Sequence, residues 1–185
     1  MTSPVLLVLV GPSGVGKGTV VRRLREKHPQ IVLSVSATTR APRVGEVDAV
    51  HYHFISPQRF DALVTEGGML EWAQVFGLDK YGTPRQPVLD ALAEGHPVIL
   101  EIDLEGARQV RGTMPDALFV FLAPPSPEEL ERRLVERGTE APEAIARRLA
   151  TARTEMASMG EFDAVVTNVD VEQAASELAR LMGLE

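Results

Sequence analysis

No cysteine occurs in the 185 residues, so disulfides and thiolate metal sites are excluded and the redox compartment is left open. Nor is there a surplus of positive charge. Lys and Arg number 19 against 26 Asp and Glu, a net charge of −7. A general binder of nucleic acid or membrane surfaces needs a broad basic face, which this chain lacks. An anionic ligand must then be held by a few local cations. Long apolar runs are missing too. "PVLLVLV" at 4–10 is too short to span a bilayer. It has no basic leader or small-residue cleavage site, so it reads as a strand, and a cytoplasmic location is expected. Internal repeats and low-complexity tracts are also lacking.

What is present is the composition of an ordinary globular domain, 44% hydrophobic and 24% charged, at a length that buries roughly 70% of the unfolded surface. Continuous apolar runs at "PVLLVLV" (4–10), "HPVILEID" (96–103), "DALFVFL" (116–122) and "FDAVVTN" (162–168) predict parallel strands buried on both faces. Helical patterns lie between them at "KGTVVRRLREKH", "PVLDALAEG", "LEGARQVRG", "SPEELERRLVERG" and "VEQAASELARLMG". Strand alternating with helix predicts an α/β fold with a parallel sheet core covered by helices. Two stretches break that rhythm. Residues 34–83, with "TTRAPRVGEVDAVHYHF", a strand-like "MLEWAQVF" and a turn at "YGTP", read as a small insertion with its own strands. Residues 126–153 place Arg132, Arg133, Arg137, Arg147, Arg148 and Arg153 on two short helices.

The strongest signal is "GPSGVGKGT" at 11–19, between a buried strand and a helix. Gly11, Gly16 and Lys17 match the phosphate-binding pattern G-x-x-x-x-G-K. Across Gly11, Pro12, Ser13, Gly14, Val15 and Gly16 the glycines let backbone N–H groups curl around phosphate oxygens. The helix N-terminus adds partial positive charge and Lys17 a full one. A dinucleotide fingerprint would need glycine at Thr19, and a nucleophile elbow would need one at Val15. A turn that merely joined strand to helix would not need the lysine in register. The pattern predicts a nucleoside-triphosphate site. Where Ser or Thr usually ligates Mg²⁺ there is Gly18. The cation must rely on phosphates, waters, distant carboxylates or Thr19. "GKGT" resembles the loop of nucleoside monophosphate kinases.

"SVSATTRAPRVGEVDAVHYHF", "EWAQVFG...YGT", "ILEIDLEGARQV", "RRLVERGTE" and "AIARRL" together resemble the guanylate kinases, in the family's order and over essentially the whole chain. The resemblance implies a phosphate-loop core (1–35, 84–125 and 154–185), a GMP-binding mixed α/β insertion (36–83) and a helical lid (126–153). It implies the reaction ATP + GMP → ADP + GDP with Mg²⁺, in purine nucleotide metabolism. Arg40 and Arg43 suit a dianionic monophosphate with forked donors, Tyr52 and Tyr81 add neutral donors, Ser36 another hydroxyl, and Glu46 orients the arginines or the ribose side. Glu71 and Thr83 are implied as the guanine readers. A carboxylate accepts both guanine donors and faces a lone pair on adenine, whereas the Thr83 hydroxyl can donate to O6 or accept from adenine. Asp103, at the carboxyl end of a strand, is implied to hold the acceptor nucleotide. Asn168 falls near the adenine, and Thr19 and Glu101 toward Mg²⁺. Arg137 and Arg148, then Arg133, are the arginines implied at the transferring phosphoryl group, beside Lys17.

Bland readings stand beside these. The arginines of 40–43 suit a solvated loop, Tyr52 a core position, Glu71 an outward strand face, and "ELERRLVER" a solvated helix with i,i+4 pairs. His51 and His53 share a face if "HYHF" is a strand, but lack a third metal ligand. The chain also departs from the family. Glu101 replaces aspartate, Ala49 a glycine and "NVD" the usual "NDD". "GLDKYGT" is a residue longer than the common form, which threatens to displace Tyr81. Alternatives are a non-catalytic protein-binding module of the same fold, whose loop would be eroded, and a related kinase for ribose bisphosphate or AMP.

Overall fold

The computed structural model describes residues 4–75, 77–136 and 142–184. In chain order the elements are β1 (Leu6–Val10), α1 (Lys17–Lys27), β2 (Val32–Leu33), β3 (Ala37–Thr38), β4 (His53–Phe54), α2 (Pro57–Thr65), β5 (Met69–Val75), β6 (Asp79–Pro84), α3 (Arg85–Ala93), β7 (Val98–Glu101), α4 (Leu104–Thr113), β8 (Leu118–Ala123), α5 (Pro127–Glu136), α6 (Pro142–Ala157), β9 (Ala164–Thr167) and α7 (Val171–Leu181). Strands β2, β7, β1, β8 and β9 form a five-stranded sheet in that order, and all its pairings are parallel. β1 is buried throughout, and alternation along it divides the core. Leu7 and Leu9 face α1 and α7, packing with Val20, Leu24, Ala175 and Leu178. Leu6, Val8 and Val10 face α3 and α4, packing with Val88, Leu104, Ala107 and Val110. Helices on both faces make the expected three-layer α/β fold, with the loop at the carboxyl end of β1.

A second sheet of four strands, β4-β3-β6-β5, occupies the insertion. Helix α2 covers it through Phe60, Leu63 and Val64 around Ala37 and Met69. The turn expected at "YGTP" is not there, because Tyr81 to Pro84 lie inside β6. The hairpin turns earlier, where Gly77 has φ 68°. Gly82 meets a different need: a methyl group on it would lie 2.6 Å from Glu71 O, so β5 can approach only a glycine. Tyr81 pairs with Thr38 and Ala73. Ala49, expected to alter its turn, holds a left-handed φ of 60°. His51 lies outside β4, so it shares no strand face with His53.

Helices α5 and α6 pack through Leu130, Leu134 and Ala152. α6 is not short but 16 residues long, and it continues past 153 to seat Met156 against the core. Among the described residues no helix is long and apolar enough to cross a membrane.

Candidate active site

The loop is built for close approach. Gly14 and Gly16 take φ of 88° and 100°. A methyl on Gly11 would lie 2.4 Å from Leu122 O, so the loop presses against β8. Val15 is fully buried and donates its N–H to Pro12 O at 3.1 Å. No side chain caps α1, which starts at Lys17 after left-handed Gly16, so its first N–H groups face the hollow as donors. That hollow, about 350 Å³, is lined by Pro12, Ser13, Gly14, Gly16, Lys17, Gly18, Thr19, Arg22 and Glu101. Lys17 Nζ donates to Gly11 O. Burial pushes the Lys17 pKa down, opposed by Glu101, Glu155 and Asp103. A phosphate here would stabilise the Lys17 ammonium in place of the solvation that burial removes.

Beside the four-stranded sheet Arg40 is the hub. Its Nη1 and Nη2 donate to the two oxygens of Glu46 at 2.8 and 3.0 Å, and its Nε donates to the Tyr81 hydroxyl at 3.1 Å. The Arg40 guanidinium, then the Arg43 backbone N–H, hold the Glu46 carboxyl down at about 2. Tyr52 is half-buried, with the Arg40 guanidinium 5.3 Å from its ring and Tyr81 packed edge-on. Tyr81 accepts from Arg40, so its own hydroxyl hydrogen stays available for a phosphate oxygen. Arg43 gives Glu46 its backbone N–H at 2.7 Å, and its side chain is exposed. Ser36 lies between β2 and β3, its carbonyl accepting from His53 N at 2.8 Å.

Glu71 is buried, not outward-facing, with 9% exposure. A register shift between Met69 and Glu71 in the β5–β6 ladder turns it inward. Thr83, 1% exposed, donates its hydroxyl hydrogen to Glu71 Oε1 at 2.6 Å. With that hydrogen engaged, Thr83 can meet a further group only as an acceptor. Asp103 caps α4 by accepting from Gly106 N at 2.7 Å. A methyl on Gly106 would lie 3.1 Å from Glu71 Oε2 and 3.2 Å from Asp103 Oδ1. Two carboxylates from different elements therefore converge on one helix start. Burial first, and Asp103 as well, push the Glu71 pKa up against the Thr83 hydrogen bond.

The α5–α6 arginines divide. Arg148 Nη2 donates to Ser13 Oγ at 2.5 Å, at the loop's mouth. Arg133 is tied to Glu129 at 2.9 Å and reaches Val15 O at 3.3 Å and Asn168 O at 3.4 Å. It lines a second hollow of about 370 Å³ with Gly16, Thr19 and Asn168. Asn168, 3% exposed, donates from Nδ2 to Val15 O at 2.8 Å, bracing the loop from β9. Arg137 lies outside the described residues. A separate hollow of about 420 Å³ beside α4 shares no residue with the loop, and its Arg108 and Arg111 are already engaged by Glu161 and Asp163.

Three residues here escaped the sequence reading. Glu155 of α6 is pushed up by burial and feels Lys17 and Asp103. Gly106 leaves room for the paired carboxylates. Gln109 of α4 accepts from Trp72 N and donates to Trp72 O, both at 3.0 Å, fixing β5 against the core. Only Gly106 gave a signal, as a glycine early in a helix.

Residues 3–185 match the family model described as Guanylate kinase. A guanylate kinase of Synechococcus sp. (strain CC9311) is 62% identical over 96% of this chain and 93% of its own length. One of Thermobifida fusca (strain YX) is 59% identical over 96% and 90%. The crystal structure of guanylate kinase from Anaplasma phagocytophilum superposes with a TM-score of 0.76 at 34% identity, covering 99% of this chain and 86% of that one. A shikimate kinase from Bacteroides thetaiotaomicron, 17% identical with a TM-score of 0.53, shares the fold. With a glycine loop opening a helix, a buried Glu71 carboxylate beside Asp103 and this likeness along its length, the chain belongs to the guanylate kinase family.

Proposed function

We propose that this protein transfers the γ-phosphoryl group of ATP to GMP. A phosphate oxygen of GMP forms the new bond to the γ-phosphorus, the bond to the ADP oxygen breaks, and GDP and ADP leave. The observation that carries this reading is Glu71, a buried carboxylate held by Thr83 beside Asp103. Burying an acceptor-only group is unfavourable without donors, and guanine N1–H and N2–H₂ are a matched pair. The Arg40–Tyr81 cluster supplies donors for the GMP phosphate. Lys17 and the start of α1 suit the β- and γ-phosphates, and the hollow by Asn168 suits the adenosine. In this reading 36–83 is the acceptor insertion and 126–153 the lid, with Arg148, and Arg137 by motif order, serving the transferred group. Arg133, held by loop and Asn168 carbonyls, serves the nucleoside end.

The donor set also fits Mg²⁺. Glu101 and Thr19 offer hard oxygens on the loop hollow. Among the described residues no group of three or more His, Asp or Glu could hold a metal unaided, so the cation would arrive with the triphosphate. Its chemistry when bound is to neutralise charge on the β- and γ-phosphates. The cytoplasm and purine nucleotide metabolism are the setting this reading implies. A binding-only module or a kinase for another acceptor is not favoured beside relatives about 60% identical over nearly the whole chain.

The test is ADP release measured with GMP, dGMP, AMP, CMP and UMP in turn, for the wild type and Lys17→Ala. Rapid turnover with GMP over AMP is expected, with transfer lost in a folded Lys17→Ala protein. Equal turnover of all five, or normal turnover without Lys17, would overturn the reading.

A further inference from the structure

Strand β5 ends the four-stranded sheet, so one of its edges has no neighbouring strand. Such an edge leaves backbone N–H and C=O groups without ladder partners. Glu71 and Ala73 pair inward with Thr83 and Tyr81 of β6, while Trp72 between them turns its own groups to the free edge. A single side chain meets both. Gln109 Oε1 accepts from Trp72 N and Gln109 Nε2 donates to Trp72 O, each at 3.0 Å. One donor and one acceptor set against one residue reproduce what an antiparallel neighbour would offer, and a primary amide carries both.

Gly106, Gln109 and Thr113 follow at helical spacing on one face of α4. That face meets three consecutive residues of β5. Thr113 Oγ1 lies 3.3 Å from Leu70 O, Gly106 leaves room for Glu71 Oε2, and Gln109 holds Trp72. The same helix is capped by Asp103. It therefore carries one carboxylate of the candidate site and the fastening of the strand that carries the other. This fastening is not core packing. Gln109 and Trp72 are both exposed, and an exposed hydrogen bond adds little to global stability. What two bonds at a fixed spacing supply is a position.

We propose that Gln109 is a positioning residue for the reading of the base: by fastening β5 to α4 it fixes the separation of the Glu71 and Asp103 carboxylates. The inference rests on Glu71 reading guanine in the proposed reaction. Without the fastening, Glu71 samples a range of separations from Asp103, and GMP must restore the productive one as it binds. The loop hollow shares no residue with α4 or β5, so the triphosphate side is indifferent to Gln109.

The experiment compares wild type with Gln109→Met and Gln109→Glu, each checked by thermal melting. The first keeps the side chain's length and removes both bonds. The second keeps the acceptor for Trp72 N and turns a lone pair toward Trp72 O. Amide exchange at Trp72, read by NMR, reports the fastening itself. Steady-state kinetics with GMP and with AMP, and KM for ATP, report its consequence. In both variants Trp72 N–H should exchange about 10-fold faster with Tm nearly unchanged. Their kcat/KM for GMP should fall about 10-fold, while kcat/KM for AMP and KM for ATP hold. In a Glu71→Gln background Gln109→Met should cost no more than about 2-fold, because the group it positions is already altered. An unchanged GMP-to-AMP ratio in both variants overturns the proposal, as does an unchanged exchange rate at Trp72. Equal losses for GMP and AMP, or a cost of Gln109→Met that is the same with and without Glu71, would make Gln109 merely structural. A wild type that does not prefer GMP brings down the functional reading and this one together. A GMP preference indifferent to Gln109 brings down this one alone. Should Gln109→Met fail to fold, Gln109→Glu and Gln109→Ala carry the same comparison.

Discussion

In the proposed reading Glu71 has two roles that pull against each other. Empty, it is a buried carboxylate whose pKa burial and Asp103 raise above the ordinary 4.5. A carboxyl raised in the folded state binds its proton more tightly there than in the unfolded chain. Stability therefore falls as pH rises from the unfolded value through the raised one, and the loss persists at neutral pH. Occupied as proposed, the same ionised group would accept from guanine N1–H and N2–H₂. Glu71→Gln should therefore stabilise the empty protein at pH 7, read as a higher urea midpoint, while removing most turnover of GMP. A site built on such paired groups rejects the wrong base by up to ~10⁴-fold, and the amide should shrink that preference because it can donate to adenine N1. Thr83→Ala should change selectivity less, since the Thr83 hydrogen is spent on Glu71. On the acid side, KM for GMP should climb at a higher pH than an ordinary carboxylate would dictate, and Glu71→Gln should lack that limb. An unchanged kcat/KM ratio for GMP over AMP in Glu71→Gln would place the reading of the base elsewhere.

Among the elements, those with strong local causes were legible in the sequence. The buried parallel strands are continuous apolar runs because both faces are covered, and the loop motif carries its own backbone chemistry. β2, β3 and β4 are two residues each; β2 pairs with distant β7, β3 with distant β6 and β4 with β3, pairings that no local pattern records. Helix α2 did leave a trace, since Ser56 caps Arg59 N at 3.2 Å ahead of Pro57 and Phe60, Leu63 and Val64 follow at helical spacing. The turn residues around it masked that period. "YGTP" reads as a turn from composition, yet Gly82 answers to β5 across the ladder. Of the candidate site, Lys17 and Arg40 stood out in the sequence as charges in an acidic chain, whereas Glu155 and Gln109 matter only through neighbours distant in sequence. Two tests belong at this scale. Ala49 carries φ 60° in a turn closed by its N–H to Tyr52 O at 2.8 Å, and a non-glycine residue there costs about 1 kcal/mol. Ala49→Gly should recover about that much, seen as a shifted denaturation midpoint, with KM for GMP little changed; no gain would mean the strain is relieved by its surroundings. On α6, Arg148 already reaches the loop at Ser13. Arg148→Ala should lower kcat by about 10³-fold while ATP affinity falls far less. The reverse split would make it a ground-state contact.

Across the whole molecule, an acidic chain that handles two polyanions must concentrate its cations where separate elements meet. Lys17 comes from α1, Arg40 from the insertion and Arg148 from α6. The carboxylates that surround Lys17 in the empty site, Glu101, Glu155 and Asp103, come from β7, α6 and the start of α4. ATP alone would engage the loop, Asn168 and the α5–α6 arginines. GMP alone would engage β5, β6 and the Arg40 cluster, with Asp103 as its foothold on the core. Only both together tie the four-stranded insertion and α5–α6 to the same five-stranded sheet. A compound joining adenosine to guanosine through five phosphates makes the second contact intramolecular, so its affinity exceeds that of either nucleotide, and stabilisation rises with ligand over Kd. It should raise Tm by more than ATP and GMP added together at equal concentration. Amide exchange locates the effect. GMP should slow β3 and β6 and leave α5 and α6 nearly untouched, ATP should do the reverse, and the joined compound should slow both. If the joined compound protects no more than ATP does, the loop hollow and the Arg40–Glu71 region do not open onto one mouth, and direct transfer between nucleotides bound there fails.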